Sequence, residues 1–369
     1  RYKNFILEGN EDHILTLAQF FKQHQIESRR LAKNTTVRGY DYQKQNNSTT
    51  SFEKNALVIS TDQPKGKIAH ILLEPNTKLN DSLTYDITAW SLAYAYGLKA
   101  NATKENVETI SLEAFQANTS IPLEKGAYGY ALASQSFADS RFLAALLKNG
   151  LGVRYNTVPI TNSGKRWESG SLFILKGDNL KDEEYTSLLQ KLAESHQREL
   201  YPIQTGYSDK GPDLGADELV LIKAPKIAVY SPSGKQPWDD AVTMVLTYAE
   251  IPFDVIYDKE VLADKLLLYE WLHLHHEDFT GQYGKFYGSF RTAPWYIQRK
   301  QNAEKLAREL DFIKVSQEKL AVAKKIRDYV IGGGFMFAMC SATDSFDIAL
   351  SAEGIDIAEA MFDGDATTP

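Results

Sequence analysis

One cysteine in 369 residues leaves no internal disulfide to form and no cluster of thiolates for zinc. No apolar run approaches the ~20 residues that a bilayer-spanning helix needs. Lys and Arg number 41 against 48 Asp and Glu, a net charge of −7, and no basic stripe recurs. Nucleic acid and anionic membrane surfaces are therefore not expected partners. No phosphate-cradling ATP motif occurs, so synthetase chemistry is not expected either. No signal peptide opens the chain, but neither does an initiator methionine. Both ends, Arg1 and Pro369, read as cuts, which leaves location unmarked. No tandem repeat or low-complexity tract is evident.

Apolar residues make up 43% of the chain, enough for two or three cores. Residues 4–8, 12–24 and the stretch to 31 read as strand, helix, strand. Residues 32–53 are rich in Asn, Thr and Gln and read as a loop with an edge strand. Residues 56–60 and 67–73 read as a strand followed by either a helix or a second strand. The run 73–97 crowds Asp81, Tyr85, Asp86, Trp90, Tyr94 and Tyr96 together, as either an aromatic binding surface or a buried, capped helix. Strands near 126–133, 153–158, 171–176 and 199–203 alternate with helices over 136–148 and 181–196. This rhythm predicts a parallel sheet with covered faces. A Gly/Asp loop at 204–217 precedes a boundary, and from Lys226 the rhythm is clearer still. The divisions expected are 1–122, 123–222 and 223–369.

The stretch Ile331-Gly-Gly-Gly-Phe-Met-Phe-Ala-Met-Cys340-Ser-Ala organises the last part. A charged helix runs into three glycines, then an apolar strand ends at the single thiol, and a helix follows at once. Gly332–Gly334 precede a strand, whereas a phosphate loop follows one, so they read as a helix stop. Cys340 falls where parallel α/β sheets collect catalytic groups. The amides of Ser341 and Ala342 there would lower a thiol pKa or hold an oxyanion. The plainer alternative is a small buried thiol.

His273-Leu-His-His-Glu-Asp278 is the second candidate. Its strand end would let His276 or His275 serve Cys340 as base, with Glu277 or Asp278 orienting the imidazole. Alternatively His273 and His275 with a carboxylate would hold a metal, or the histidines simply satisfy a polar strand end. Asp344 and Asp347 would line the same cleft or cap their helix. The aromatic segment Phe279–Trp295, with Tyr283 and Lys285, is long enough for a lid, or else is a packed connection.

Two resemblances cover the chain. Residues 1–222 resemble the region behind the catalytic domain of large bacterial zinc carboxypeptidases of the carboxypeptidase A-like family. The residues that carry it are Glu74-Pro-Asn-Thr-Lys-Leu, the run from Asp81 to Trp90, Tyr94–Gly97 and Thr205–Gly215. Residues 223–369 are similar to bacterial proteins labelled asparagine synthetase B, with a class I glutamine amidotransferase-like domain. Ala224–Ser231, Lys235–Ala241, Leu272–Lys285 and the stretch through Asp347 carry this one.

Together they imply an α/β protein: a parallel flavodoxin-like sheet with helices on both faces, preceded by a smaller α/β region. The function implied is an accessory, non-peptidolytic part of a carboxypeptidase-type protein in the periplasm or outside the cell. Zinc would belong to a catalytic domain upstream of Arg1, and no cofactor is expected in this chain. A zinc carboxypeptidase domain in cis and a small-molecule or peptide ligand are the partners implied. The family's zinc motif is not matched by His24-Gln-Ile-Glu27 or His196-Gln-Arg-Glu199. Its amidotransferases usually carry Gly-x-Cys-x-Gly, where this chain has Ala338-Met-Cys-Ser-Ala342, and no histidine follows Cys340. The alternative is a Cys340-dependent amide hydrolase that takes its base from residues 273–276.

Overall fold

The computed structural model describes residues 2–76, 91–112, 122–179, 184–231 and 241–369. Asp81, Tyr85, Asp86 and Trp90 lie outside the described residues, as does the side chain of Lys285. The chain forms two compact units, one made of residues 1–123, 133–139 and 193–199, the other of the remainder.

In the first unit β1 (Asn4–Glu8) is central. It is followed by α1 (Glu11–Gln23), whose N-cap Asn10 accepts the Asp12 N–H at 2.9 Å. Ile14, Leu17, Ala18 and Phe21 form its buried stripe. Next come β2 (Arg29–Leu31), β3 (Thr35–Asp41), β4 (Asn46–Phe52) and β5 (Leu57–Ser60). They are followed by α2 (Gly66–Leu73), α3 (Leu92–Ala95), β6 (Lys99–Thr103) and β7 (Thr109–Ser111). The sheet is antiparallel, in the order β4-β3-β6-β1-β5-β2-β7. The polar segment read as a loop with an edge strand is the β3–β4 hairpin, with β4 at the edge of the sheet. Asp41 ties its turn, accepting the N–H groups of Gln43 (3.0 Å) and Lys44 (3.1 Å) and the hydroxyls of Ser48 (3.1 Å) and Thr50 (3.0 Å). Burial opposes its charge, yet these four donors outweigh burial and hold its pKa below the usual value. Also within this unit, Arg198 clamps Asp12 (2.6 and 2.8 Å) and Asp139 (3.0 Å).

The second unit holds two main sheets. The first is built from β8 (Gly129–Leu132), β9 (Arg154–Asn156), β12 (Leu172–Leu175), β13 (Tyr201–Ile203) and β14 (Leu219–Leu221). Helix α4 (Phe137–Lys148) follows β8, the hairpin β10 (Ile160–Asn162) and β11 (Lys165–Trp167) follows β9, and α5 (Tyr185–Ser195) follows β12. The sheet is antiparallel, in the order β13-β8-β12-β9-β14, and not parallel as the alternation predicts. The reason is the β10–β11 hairpin: it reverses the chain between β9 and β12, so the two pair head to tail.

The two antiparallel sheets repeat one another in topology, although no tandem repeat is evident in the sequence. Each runs strand, helix, strand, hairpin, strand, helix, strand, strand, the first with the short α3 added after α2. The order β6-β1-β5-β2-β7 matches β13-β8-β12-β9-β14 position for position. The first strand leads the second by the same 25 residues in both, Asn4 to Arg29 and Gly129 to Arg154. Each core is a β-α-β-β-α-β module. Buried Leu17 and Phe21 of α1 stand where buried Phe142 and Leu146 stand in α4.

The remaining sheet is parallel: β15 (Ile227–Tyr230), β16 (Asp254–Ile256), β17 (Trp271–Leu274) and β18 (Phe335–Ala338), in the order β16-β15-β17-β18. Around it lie α6 (Ala241–Tyr248), α7 (Asp258–Leu262), α8 (Gly284–Phe290), α9 (Pro294–Glu309), α10 (Val315–Ile331), α11 (Ser341–Ser351) and α12 (Ala360–Asp363). Ala228, Tyr230, Leu272 and Leu274 on one face share a core with α7, α10 and α11. The opposite face buries Ile227, Val229 and His273. At β18, where helices were expected on this face too, Phe335 and Phe337 are about half exposed. They lean on Trp271 and His273 instead. No helix among the described residues is long and apolar enough to cross a membrane.

Candidate functional site

Parallel strands deliver their carboxyl ends to one edge, where the loops are free to carry chemistry. Here β16 delivers Asp258, β17 delivers His275–Asp278, and β18 delivers Cys340 and Ser341. A cavity of about 360 Å³ opens at this edge. It is lined by Asp258, by His276, Glu277 and Asp278, by Tyr283, by Tyr296 and Arg299 of α9, by Glu318 and Lys319 of α10, and by Ser341 and Asp344 of α11. Leu306, Ala303, Val315 and Ile348 supply aliphatic wall.

A buried charge cluster dominates the polar side. Asp258 is 0% exposed, Glu318 1% and Lys319 8%. Lys319 donates to Asp258 Oδ1 and, at 3.2 Å, to the Tyr230 hydroxyl, which itself donates to Asp258 Oδ1. Lys319 Nζ also lies 3.6 Å from Glu318 Oε2. The other oxygen of each acid, Asp258 Oδ2 and Glu318 Oε1, accepts nothing from a fixed donor. The two carboxyls lie close enough to shift one another's titration, the Asp258 charge raising Glu318.

Of the two, Glu318 holds a proton more readily. Burial, the largest influence, and the Asp258 charge together outweigh Lys319 and push its pKa up to about 7. Asp258 feels burial most strongly too, but the Lys319 charge and the hydrogen bonds to it win, and its pKa is lowered. Burial and the Asp258 charge keep the Tyr230 hydroxyl protonated far above its ordinary range. Burial also raises Asp278 against the two bonds it accepts from Thr280, at 2.6 and 2.9 Å. The hydroxyls of Tyr283 and Tyr296 are buried in the cavity wall without a hydrogen-bond partner.

The sequence candidates divide. His276, Glu277, Asp278, Tyr283, Ser341 and Asp344 line the cavity, whereas Cys340, His275, His273 and Ala342 do not. Cys340 is exposed. Its backbone has φ 51° and ψ −138°, a left-handed conformation that side chains rarely adopt. The strand-to-helix turn is therefore sharp even with alanines flanking it. Ala342 does not present its amide to an oxyanion. That N–H points to Met339 O (3.2 Å) and His275 O (3.4 Å), and the methyl is fully buried.

The Glu277 carboxylate accepts the His275 N–H, and its carbonyl accepts the Ser345 hydroxyl at 2.7 Å. The His275 and His276 rings stack at 3.7 Å. His273 stacks on Phe337, with its ring centre 6.3 Å from that of His275. Among the described residues His273 and His275 belong to no group of three close enough to hold a metal. Among the described residues the one group of three close enough for a metal is Asp356, Asp363 and Asp365. Lys314 Nζ already sits among those three, 2.6–3.1 Å from their oxygens. The expected lid is not a loop: residues 284–290 form α8, and Tyr287 packs against Tyr296 and Phe362.

Asp258, Glu318, Lys319, Tyr296 and Arg299 are absent from the sequence candidates. A signal for two of them existed. Val315, Glu318, Lys319, Val322, Ala323, Ile326 and Tyr329 form one helical stripe. Charged residues inside an apolar stripe must be paired or functional.

No family model, no curated protein and no solved structure matches the chain significantly. The site is thus defined by its geometry: a largely apolar cavity with a buried charge cluster in its wall, at the carboxyl edge of a four-stranded parallel sheet in a mixed α/β protein.

Proposed function

We propose that the chain is an accessory, non-peptidolytic, amidotransferase-like part of a zinc-carboxypeptidase-type protein, and that its parallel sheet holds a small-molecule or peptide-end binding cavity. Its partner in this reading is a zinc carboxypeptidase domain, in the periplasm or outside the cell. The strand order β16-β15-β17-β18 supports a flavodoxin-like sheet, since it follows the 2-1-3-4 sequence of that class. In such sheets ligands settle at the switch point between the first and third strands. The observation that favours a binding cavity over a thiol enzyme is that the buried Asp258, Glu318 and Lys319 line the cavity while the lone thiol lies outside the lining.

Strain at Cys340 favours a second reading, a Cys340-dependent amide hydrolase with His276 as base. Alkylation of Cys340 across a pH series separates the two. Under the accessory reading the thiol reacts at an ordinary, slow rate below pH 8, and His276→Ala leaves that rate unchanged. Rapid labelling below pH 7 that His276→Ala abolishes would overturn it in favour of the hydrolase.

A further inference from the structure

Buried carboxylate oxygens need donors, and two at one wall of the cavity lack a fixed one. Asp258 and Glu318 each turn one oxygen toward Lys319 and leave the other, Oδ2 and Oε1, away from it. Both side chains are essentially inaccessible to bulk water, so these oxygens are costly to leave unmatched. A proton on Glu318 that bridged to Asp258 would satisfy both while the cavity is empty. A ligand group that is itself a charged donor satisfies them equally well.

We propose that the cavity binds a primary ammonium group, seated on Asp258 Oδ2 and Glu318 Oε1 in exchange for the proton they share. This rests on the cavity being a ligand site, and it names the ligand's chemistry. The exchange is electroneutral. In the empty state one carboxylate and Lys319 cancel. In the bound state two carboxylates face two cations. The N–H bonds of the ammonium replace the O–H bond of Glu318, and the released proton goes to solvent. No covalent bond to the ligand forms or breaks.

The groups facing the pair favour a cation. Lys319 on the same helix is committed to Asp258 and to the Tyr230 hydroxyl of β15. Glu277 and Asp278 follow β17 alongside His276, Asp344 comes from α11, and only Arg299 of α9, exposed at the rim, opposes them. Tyr283 and Tyr296 line the cavity and carry hydroxyl oxygens without a hydrogen-bond partner, which can accept from an ammonium. The aliphatic wall suits a short carbon body, and the volume is that of a small-molecule site.

Titration calorimetry with n-butylammonium, in two buffers of different ionisation enthalpy, tests this on the full chain. The expected result is saturable binding with release of close to one proton at pH 6 and almost none at pH 8.5. The apparent dissociation constant should weaken about tenfold per pH unit below pH 7. Tetramethylammonium, which has no N–H, should not bind. Trialanine with a free N-terminus, set against its acetylated form, distinguishes a peptide end from a free amine as the source of the ammonium; either binding alone supports the proposal. Glu318→Gln should abolish binding. Ile348→Trp, which fills the cavity without altering the acids, should abolish it too while leaving the pH dependence of stability intact. Absence of binding by both butylammonium and trialanine, equal binding of tetramethylammonium, or binding without proton release at pH 6 would overturn the proposal. None of these outcomes bears on the accessory role, which is read from Cys340 reactivity.

Discussion

Glu318 is a residue whose protonation is linked to folding. Its carboxyl titrates at about 7 in the folded chain against an ordinary value of 4.5. The folded state therefore holds more protons than the unfolded state between those values, and stability falls as pH rises through that window. Below pH 4.5 both states are protonated and the contribution is at its most favourable; above pH 7 the loss is complete, on the order of 3 kcal/mol at 1.36 kcal/mol per unit. Asp258 acts elsewhere: its lowered pKa supports the fold above about 3.8 and is felt only as pH falls below that. Glu318→Gln keeps a donor for Asp258 Oδ2 and removes the titration. Urea melts of the variant at pH 5 and pH 8 should then differ by much less than those of the parent. The slope that remains belongs to Asp278, which burial raises in the same direction. An unchanged slope in the variant would mean that Glu318 is ionised throughout and that no proton is shared.

At the scale of elements, the three glycines between α10 and β18 carry distinct duties. Gly332 closes the helix in a right-handed conformation that any residue adopts. Gly333 has φ 100°, which favours glycine. A methyl on Gly334 would fall inside the Tyr329 ring, which is packed in the core beneath the sheet. Gly334→Ala should thus destabilise the parallel sheet by about 1–3 kcal/mol, the usual cost of overpacking. Gly332→Ala should be close to neutral; thermal melts of the two variants check the contrast. The helix stop was legible from the Gly-Gly-Gly run alone, but the Tyr329 contact was not, because it depends on how α10 folds back over β18. Legibility failed similarly in β3 and β4. Thr35–Asp41 and Asn46–Phe52 are strands through hydrogen bonds to Asp41 and ladder pairing, with few apolar residues to mark them. The site divided along the same line. His276–Asp278 were visible because they end an apolar strand, whereas Asp258 and Arg299 join the cavity only through packing.

For the whole molecule, the duplication of the β-α-β-β-α-β module is the feature that sequence patterns hid. The helix stripes exchange sizes, Leu17 and Phe21 against Phe142 and Leu146, so volume is kept while identity is lost. The hairpins differ as well: β3 pairs with β6 in its sheet, whereas β10 and β11 form a two-stranded sheet of their own. Strands of three or four residues also carry no sign of their direction, which is why an antiparallel sheet read as parallel. If each module owns its core, equivalent cavities should act locally. Phe21 belongs to a cluster with Phe5, Leu57 and Ala100 of its own sheet. Phe21→Ala should cost about 3–5 kcal/mol, and Leu146→Ala about 2–5 kcal/mol. Segment-resolved hydrogen exchange should show Phe21→Ala exposing β1, β5 and β6 while β8 and β12 keep their protection, and Leu146→Ala doing the reverse. Loss of protection spread evenly over both sheets by either substitution would show one cooperative core, and the repeat would then be one of topology without independence.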